Sequence, residues 1–262
     1  MALAHPALAR PRRIVSIDLC ADQYLLALAD PAQIAGLSQF ARDPALSFSY
    51  ARARAFRPVR GTAEDILPLK PDLVLGSPSH GYQTRALLRR FGVRVIGMGL
   101  VHDFAGIVAE TRRIAAAIGQ PARGAALIAR MRAALATVPP PAGRAPLAVH
   151  YQRRGYVTGP GTLMDDIMRR AGLDNLAGRL RTGALAHVDL ETILVSRPDY
   201  IVLTTDPARA RDWGALLLHH PALAQGFRGR MLYIPDRLTV CGGPSYPAAV
   251  LRLAAQLRAH GG

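Results

Sequence analysis

Two of the three glutamates in this 262-residue chain fall in a phrase that occurs twice. Its copies are AEDILPLKPDLVL at residues 63–75 and DLETILVSRPDYIVL at residues 189–203. In each copy a glutamate, Glu64 or Glu191, stands seven residues before a Pro-Asp pair that opens a β-branched, apolar run. This pattern predicts a short helix, a tight loop and a strand. A carboxylate at a helix start is stabilised by the helix dipole by about 0.3–1 kcal/mol, which by itself accounts for an acid there.

Other side chains suited to ligand binding fall at the predicted strand ends, where ligands of parallel α/β sheets bind. Aromatic rings there offer flat apolar contact to a macrocycle or chelate; they are Phe40, Tyr50, Tyr82 and Tyr156. Arg153 and Arg154 precede a glycine in a turn and offer guanidinium groups to carboxylates or phosphates. His80 and His187 offer hydrogen bonds or an axial metal position. Core packing for the rings and solvent exposure for the turn residues remain open alternatives.

The two cysteines, Cys20 and Cys241, also fall at predicted strand ends that face the ligand. Their spacing fits no zinc finger and no Cys-x-x-Cys redox motif. A bridge between them would close a loop of more than 200 residues, for which chain-entropy models give somewhat more than about 4 kcal/mol. Free thiols near the ligand and ordinary buried cysteines are the alternatives.

Strands alternating with helices predict parallel βα units on both sides of a helical region at about 104–138. The proline-rich stretch PPPAGRAP closes that region and indicates a domain boundary. The fold class is therefore α/β, with two lobes of mainly parallel sheet and flanking helices, joined by one long helix. We expect a signal remnant or disordered end at 1–11, an N-terminal lobe at 12–120, a connecting helix at 121–140 and a C-terminal lobe at 141–262.

The charge balance is strongly basic, with a formal net charge of +15, and Lys70 is the only lysine. The arginines are scattered singly or in pairs along predicted helices, which argues against a nucleic-acid surface. No apolar run reaches the roughly 20 residues that a membrane span requires. Ala-Leu-Ala at 7–9 has the form of a signal-peptidase site, but no charged start or long apolar region precedes it. We expect either an export signal that is missing or truncated, or an ordinary disordered end.

Five segments in order give the chain its family resemblance. They are RIVSIDLCADQYLLALAD, ILPLKPDLVL, GYVTGPGTLMDDIMRRAGLDNLA, LETILVSRPDYIVL and LYIPDRLTVCGGP. The chain resembles the periplasmic substrate-binding proteins of ABC importers for cobalamin and ferric siderophores, in which a single backbone helix joins two lobes. The segments cover nearly the whole sequence, although no single motif among them is specific.

The resemblance implies a monomeric periplasmic protein that holds a metal chelate between its lobes and delivers it to the permease of an ABC importer. It implies no catalysis and no cofactor besides the chelate. In this family an acidic residue on each lobe docks on permease arginines, and Glu64 and Glu191 match those positions. The ligand-binding candidates are the residues found at the strand ends, namely Cys20, Phe40, Tyr50, His80, Tyr82, Arg153, Arg154, His187 and Cys241. The large aromatic residue of cobalamin binders and the tyrosine ligand of haem binders have no clear match.

Three other functions are alternatives to chelate transport. A related receptor for bare zinc or manganese needs three or four convergent ligands, and the candidates are His80, His150 and His187 with one acid. A haem-binding member of the same class is the second. An enzyme is disfavoured because the chain has no nucleophile elbow, no P-loop lysine motif and no G-x-G-x-x-G after a strand.

Overall fold

The computed structural model describes residues 10–77, 81–139, 143–204 and 219–261. Its contacts divide the chain into two compact units. The N-terminal unit takes the described chain up to Leu100 together with Val108–Ala129, and the C-terminal unit takes Val101–Ile107 together with the chain from Arg130 onward. The predicted domain limits themselves remain predictions.

The N-terminal unit is built on a five-stranded parallel sheet in the order β3-β2-β1-β4-β5. Its elements in chain order are β1 (Ile14–Ser16), α1 (Leu19–Leu28), β2 (Ile34–Ser38), α2 (Tyr50–Ala53), β3 (Pro58–Val59), α3 (Ala63–Ile66), β4 (Leu73–Gly76), α4 (Tyr82–Arg90) and β5 (Arg94–Gly97). Short 3-10 turns lie at Pro31–Gln33, Gln39–Arg42 and Leu67–Leu69. One cluster of its core joins Val15 and Val74 of the central strands to Ile66 and Leu88 of the covering helices.

Two helices follow, α5 (Phe104–Ala117) and α6 (Pro121–Ala136), and each contributes residues to both units. The sequence predicted a helical region over 104–138 broken near Gly119-Gln120-Pro121. The break lies there because Gly119 adopts a positive φ of 72°, which ends α5, and Pro121 then opens α6.

The C-terminal unit has a four-stranded parallel sheet in the order β11-β10-β6-β8 and a separate antiparallel pair, β7-β9. Its elements are β6 (Leu147–His150), β7 (Tyr156–Thr158), α7 (Leu163–Arg170), β8 (Asp174–Asn175), α8 (Leu176–Arg179), β9 (Leu185–His187), α9 (Leu190–Ser196), β10 (Tyr200–Leu203), α10 (Pro221–Gly226), β11 (Met231–Tyr233), α11 (Asp236–Thr239) and α12 (Tyr246–Gly261). A further 3-10 turn lies at Arg153–Gly155.

The predicted fold class is confirmed: the sheets are mainly parallel, helices flank them and each unit has its own sheet. The antiparallel pair is a departure, because the stretch at 153–162 was expected to be a turn and β9 was not expected at all. Both strands are three residues long, too short for an alternating pattern to be detected. Among the described residues, no helix combines the length and the apolar character needed to cross a bilayer.

Candidate functional site

A cavity of about 330 Å³ opens in the C-terminal unit at the carboxyl end of its parallel sheet. Three of its walls come from the residues that follow β6, β10 and β11, which is where α/β sheets bind ligands. The β7-β9 pair supplies the remaining wall. The lining residues are Tyr151, Gln152, Arg153, Tyr156, Leu185, Thr204 and Asp236.

Asp236 is the acid of this cavity. Burial raises the pKa of its carboxyl above the usual range, while a hydrogen bond from Thr204 and the positive charge of Arg153 lower it again. Burial is the larger effect, so the net shift of this pKa is upward, and the hydrogen bond from Thr204 and the charge of the exposed Arg153 offset part of it by favouring the ionised form. Asp236 is not among the residues predicted from the sequence, although it follows β11 in the segment LYIPD, where the strand-end rule applies.

Tyr151 follows β6 directly and is 1% exposed. Its hydroxyl is buried and has no hydrogen-bond partner within the described residues. Burial raises the pKa of this phenol, and the negative charges of Glu191 and Asp189 raise it further. Tyr151 thus stays protonated and keeps an unused O–H donor, which is costly inside a protein. Tyr151 is not among the residues predicted from the sequence, because its pattern is that of the end of a buried strand.

A buried polar relay orients Gln152 at the cavity wall. The Gln152 amide nitrogen donates to the Thr158 hydroxyl at 2.7 Å, and that hydroxyl lies 2.6 Å from Nδ1 of His150. Burial lowers the pKa of His150 to about 4, so the ring is neutral and its Nδ1 can accept the Thr158 proton. The relay uses the amide nitrogen of Gln152 and leaves its amide oxygen available.

The β7-β9 pair brings two of the candidate residues together. Tyr156 pairs with His187 across the strands, and their rings meet edge to face at 5.8 Å between centroids. Nδ1 of His187 lies 3.7 Å from a carboxylate oxygen of Asp189. Tyr156 and Leu185 are exposed and form an apolar rim beside the polar lining.

The two predicted arginines have different positions. Both are exposed, but Arg153 lines the cavity, whereas Arg154 is not among the described lining residues and adopts the left-handed conformation with a φ of 60°. That conformation reverses the chain between β6 and β7 and is unusual for a residue with a side chain. The sequence placed both arginines in a turn but could not tell which of them lines the cavity.

The predicted residues of the N-terminal unit lie at scattered positions. Phe40 is 49% exposed in a 3-10 turn, and Tyr82 is 74% exposed at the start of α4. Tyr50 is half-buried at the start of α2, with the guanidinium of Arg54 5.8 Å from its ring centroid. His80 lies outside the described residues. The role of these side chains in ligand binding remains a prediction.

The cysteines are both disulfide-bonded and neither is a free thiol. Cys20 lies in the first turn of α1, four residues after β1 ends at Ser16 and not directly at a strand end, because the Asp18 carboxylate caps a helix that begins at Leu19. Cys241 is buried, 4% exposed, just after α11. The free-thiol alternatives are therefore wrong.

The zinc alternative requires His80, His150 and His187 to converge with an acid. The part of the chain that the structure describes contains no group of three or more His, Cys, Asp or Glu residues able to hold a metal ion. His150 is buried and bound to Thr158, while His187 is exposed on β9.

The two repeated glutamates are both exposed, each in the first turn of a short helix. Neither forms a hydrogen bond or ion pair within the described residues. The third glutamate differs, since Glu110 is 6% exposed and paired with Arg113 at 2.7 Å.

Proteins of known structure share the fold of this chain. The apo form of a periplasmic heme-binding protein, RhuT, from Roseiflexus sp. RS-1 aligns with a TM-score of 0.74 at 24% identity, covering 96% of this chain and 99% of the other. An ABC-type Fe3+-hydroxamate transport protein from Saccharomonospora viridis aligns with a TM-score of 0.70 at 21% identity, covering 95% of this chain and 93% of the other. At these identities the likeness concerns the fold alone.

Sequence comparison adds a relative from Halobacterium salinarum named as a cobalamin-binding protein. It is 29% identical over 216 residues, which is 81% of this chain and 58% of the relative's length. The model of the periplasmic binding protein family matches residues 14–225. Since this match runs from β1 into α10 and covers well over half of the chain, the chain belongs to the periplasmic binding protein family.

Proposed function

We propose that this protein is an extracytoplasmic solute-binding protein that captures a metal chelate and delivers it to the permease of an ABC importer. The family match over residues 14–225 carries the proposal. The named relatives bind cobalamin, heme or an Fe3+-hydroxamate. All three ligands are metal chelates, so the chelate is the common element.

The cavity of the C-terminal unit supports the ligand half of the proposal. It combines an apolar rim, Tyr156 and Leu185, with a few polar groups, which is the usual composition of small-molecule sites. Its volume of about 330 Å³ fits one edge of a macrocycle or chelate. The remaining contacts are assigned to the predicted residues of the N-terminal unit, Phe40, Tyr50, His80 and Tyr82, together with Arg154 and His187.

Glu64 and Glu191 support the delivery half. Both carboxylates are exposed and unpaired within the described residues of an arginine-rich chain. An isolated surface carboxylate adds little to the stability of the fold beyond the helix-dipole effect. Its charge can instead steer and orient a partner that presents arginines.

The ligand half is tested by calorimetric titration of the purified protein with cyanocobalamin, haemin, a ferric hydroxamate, a ferric catecholate and zinc chloride. We expect one chelate class to saturate the protein at about micromolar affinity or tighter, near −8 kcal/mol. Saturation by zinc alone, with no chelate binding, would replace this proposal by the bare-metal receptor.

A further inference from the structure

The polar lining of the C-terminal cavity contains hydrogen-bond donors and acceptors in balance. The donors are the Arg153 guanidinium and the Tyr151 hydroxyl, and the acceptors are the Asp236 carboxylate and the Gln152 amide oxygen. Among the described lining residues, the charges of Arg153 and Asp236 cancel. The ligand group that fits this lining is therefore neutral overall and must both donate and accept.

A carboxylate on the ligand matches this lining poorly. Arg153 and Tyr151 would bind it, but Asp236 would then face a second negative charge in a partly buried site, and like charges brought together there are strongly unfavourable. A primary carboxamide satisfies both sides, because its N–H groups donate to Asp236 and Gln152 while its oxygen accepts from Arg153 or Tyr151.

The acceptor side is held in place by the fold. Thr204 forms a hydrogen bond with Asp236. The Thr158 hydroxyl accepts a hydrogen bond from the amide nitrogen of Gln152 at 2.7 Å, so this nitrogen cannot exchange positions with the amide oxygen without breaking that bond. Preorganised acceptors discriminate more strongly than mobile ones, because a ligand lacking the matching N–H leaves them unpaired in a buried place.

We propose that this cavity recognises a peripheral carboxamide of the chelate, and that Asp236 is the residue that excludes a carboxylate at the same position. The inference rests on the proposed function. It selects a corrinoid, whose periphery carries carboxamides, over haem, whose peripheral polar groups are carboxylates. Tyr151 supplies a donor that binds either group and does not discriminate between them.

The test uses cyanocobalamin and its separated monocarboxylic acid isomers, in each of which one peripheral amide has become an acid. In titrations of the wild-type protein, at least one isomer is expected to bind about 10-fold or more weakly than cyanocobalamin, because its new charge meets Asp236. In Asp236→Asn the same isomer is expected to bind within about 2-fold of cyanocobalamin, since the opposing charge is gone.

Two further variants test whether Asp236 is the residue that discriminates between cyanocobalamin and its monoacid isomer. Tyr151→Phe is expected to weaken cyanocobalamin and the discriminated isomer alike, by about 3- to 10-fold, which leaves their ratio unchanged. Asp174→Asn removes an acid of the same unit that pairs with Arg179 outside the cavity lining, and it is expected to change neither affinity nor ratio.

Two results overturn the inference while leaving the proposed function intact. One is equal binding of cyanocobalamin and every monoacid isomer, and the other is tighter binding of haemin than of cyanocobalamin. The wild-type comparison decides both, even where Asp236→Asn does not fold. Failure of every chelate to bind the wild-type protein would instead remove the proposed function, and the inference with it.

Discussion

The two copies of the repeated phrase fold alike in their backbone and differ in how their helices begin. In each copy the helical segment ends at a basic residue in the left-handed conformation with a φ of 47°: Lys70 after the 3-10 turn that follows α3, and Arg197 directly after α9. In each copy the aspartate after the proline binds backbone N–H groups at the start of a neighbouring strand. These aspartates, Asp72 and Asp199, therefore join each loop to the central part of its own sheet.

The helix starts show the difference. Thr62 caps α3 by accepting from the Asp65 N–H at 3.4 Å, whereas the Asp189 side chain makes no capping bond to α9. The glutamate is present in both copies, yet in neither does it bond to anything in the described chain. Each copy thus keeps residues that shape the backbone and one exposed glutamate, whose contribution to folding is limited to the helix-dipole effect.

The largest expected effect follows from reversing that charge. Under the proposed docking role, Glu64→Arg or Glu191→Arg should abolish chelate uptake in cells that depend on this protein, because an arginine would repel the arginines expected on the proposed permease partner. Ligand affinity, measured by calorimetry on the purified variants, should stay unchanged.

Asp174→Arg reverses an acid outside the repeated phrase and serves as the control, with uptake expected at the wild-type level. A loss of ligand affinity in Glu64→Arg or Glu191→Arg would show that the glutamates belong to the ligand site and not to a docking surface.

The next expected effect is an opposite dependence of stability on pH in the two units. Burial raises the pKa of Asp22 in the N-terminal unit to about 7, and burial lowers the pKa of His150 in the C-terminal unit to about 4. The raised carboxyl pKa gives stability that is lost as pH rises from about 4 to 7. The lowered imidazole pKa gives stability that is lost as pH falls from about 6.5 to 4. Each effect is on the order of 3 kcal/mol.

Hydrogen exchange between pH 4.5 and 6.5, corrected for intrinsic rates, measures both effects. The opening free energy of amides in β1 and β2 should fall as pH rises, and that of amides in β6 and β10 should increase. Asp22→Asn and His150→Gln should flatten the slope of their own unit only. Slopes of the same sign in wild-type protein would contradict the assignment.

The repeated phrase also shows what the sequence could predict. Its β-branched runs and Pro-Asp pairs placed β4 and β10 correctly, because a buried parallel strand has a strong local signal. The expectation that ligands bind at strand ends selected Arg153, which lines the cavity. The sequence could not identify Tyr151, because the lack of a hydrogen-bond partner for its hydroxyl is a property of the folded unit. It could not identify the β7-β9 pair either, because these strands are stabilised by pairing across about 30 residues and not by their own composition.

A smaller effect compares the two aspartates. The Asp199 carboxylate accepts from the N–H of the buried Leu147 at 2.7 Å, whereas Asp72 accepts from the exposed Arg12 N–H at 2.7 Å and from the exposed Arg13 N–H at 3.1 Å. Water can replace the carboxylate of Asp72 more easily than that of Asp199. In urea unfolding, Asp199→Ala should cost about 2–3 kcal/mol and Asp72→Ala about 1–2 kcal/mol. A larger loss in Asp72→Ala would mean that the number of hydrogen bonds matters more than their burial.

The smallest effect concerns the left-handed basic residues, a conformation that costs a residue with a side chain about 1–2 kcal/mol and costs glycine almost nothing. Lys70→Gly and Arg197→Gly should each stabilise the protein against urea by up to about 1 kcal/mol, after allowing for the extra freedom of glycine when unfolded. Both residues are exposed and follow a repeated glutamate by six residues in the sequence, so the same variants also test whether the strain is retained for docking. If it is, uptake falls although stability rises. Unchanged uptake would confine the docking surface to the glutamates and leave the basic residues with a role in the turn alone.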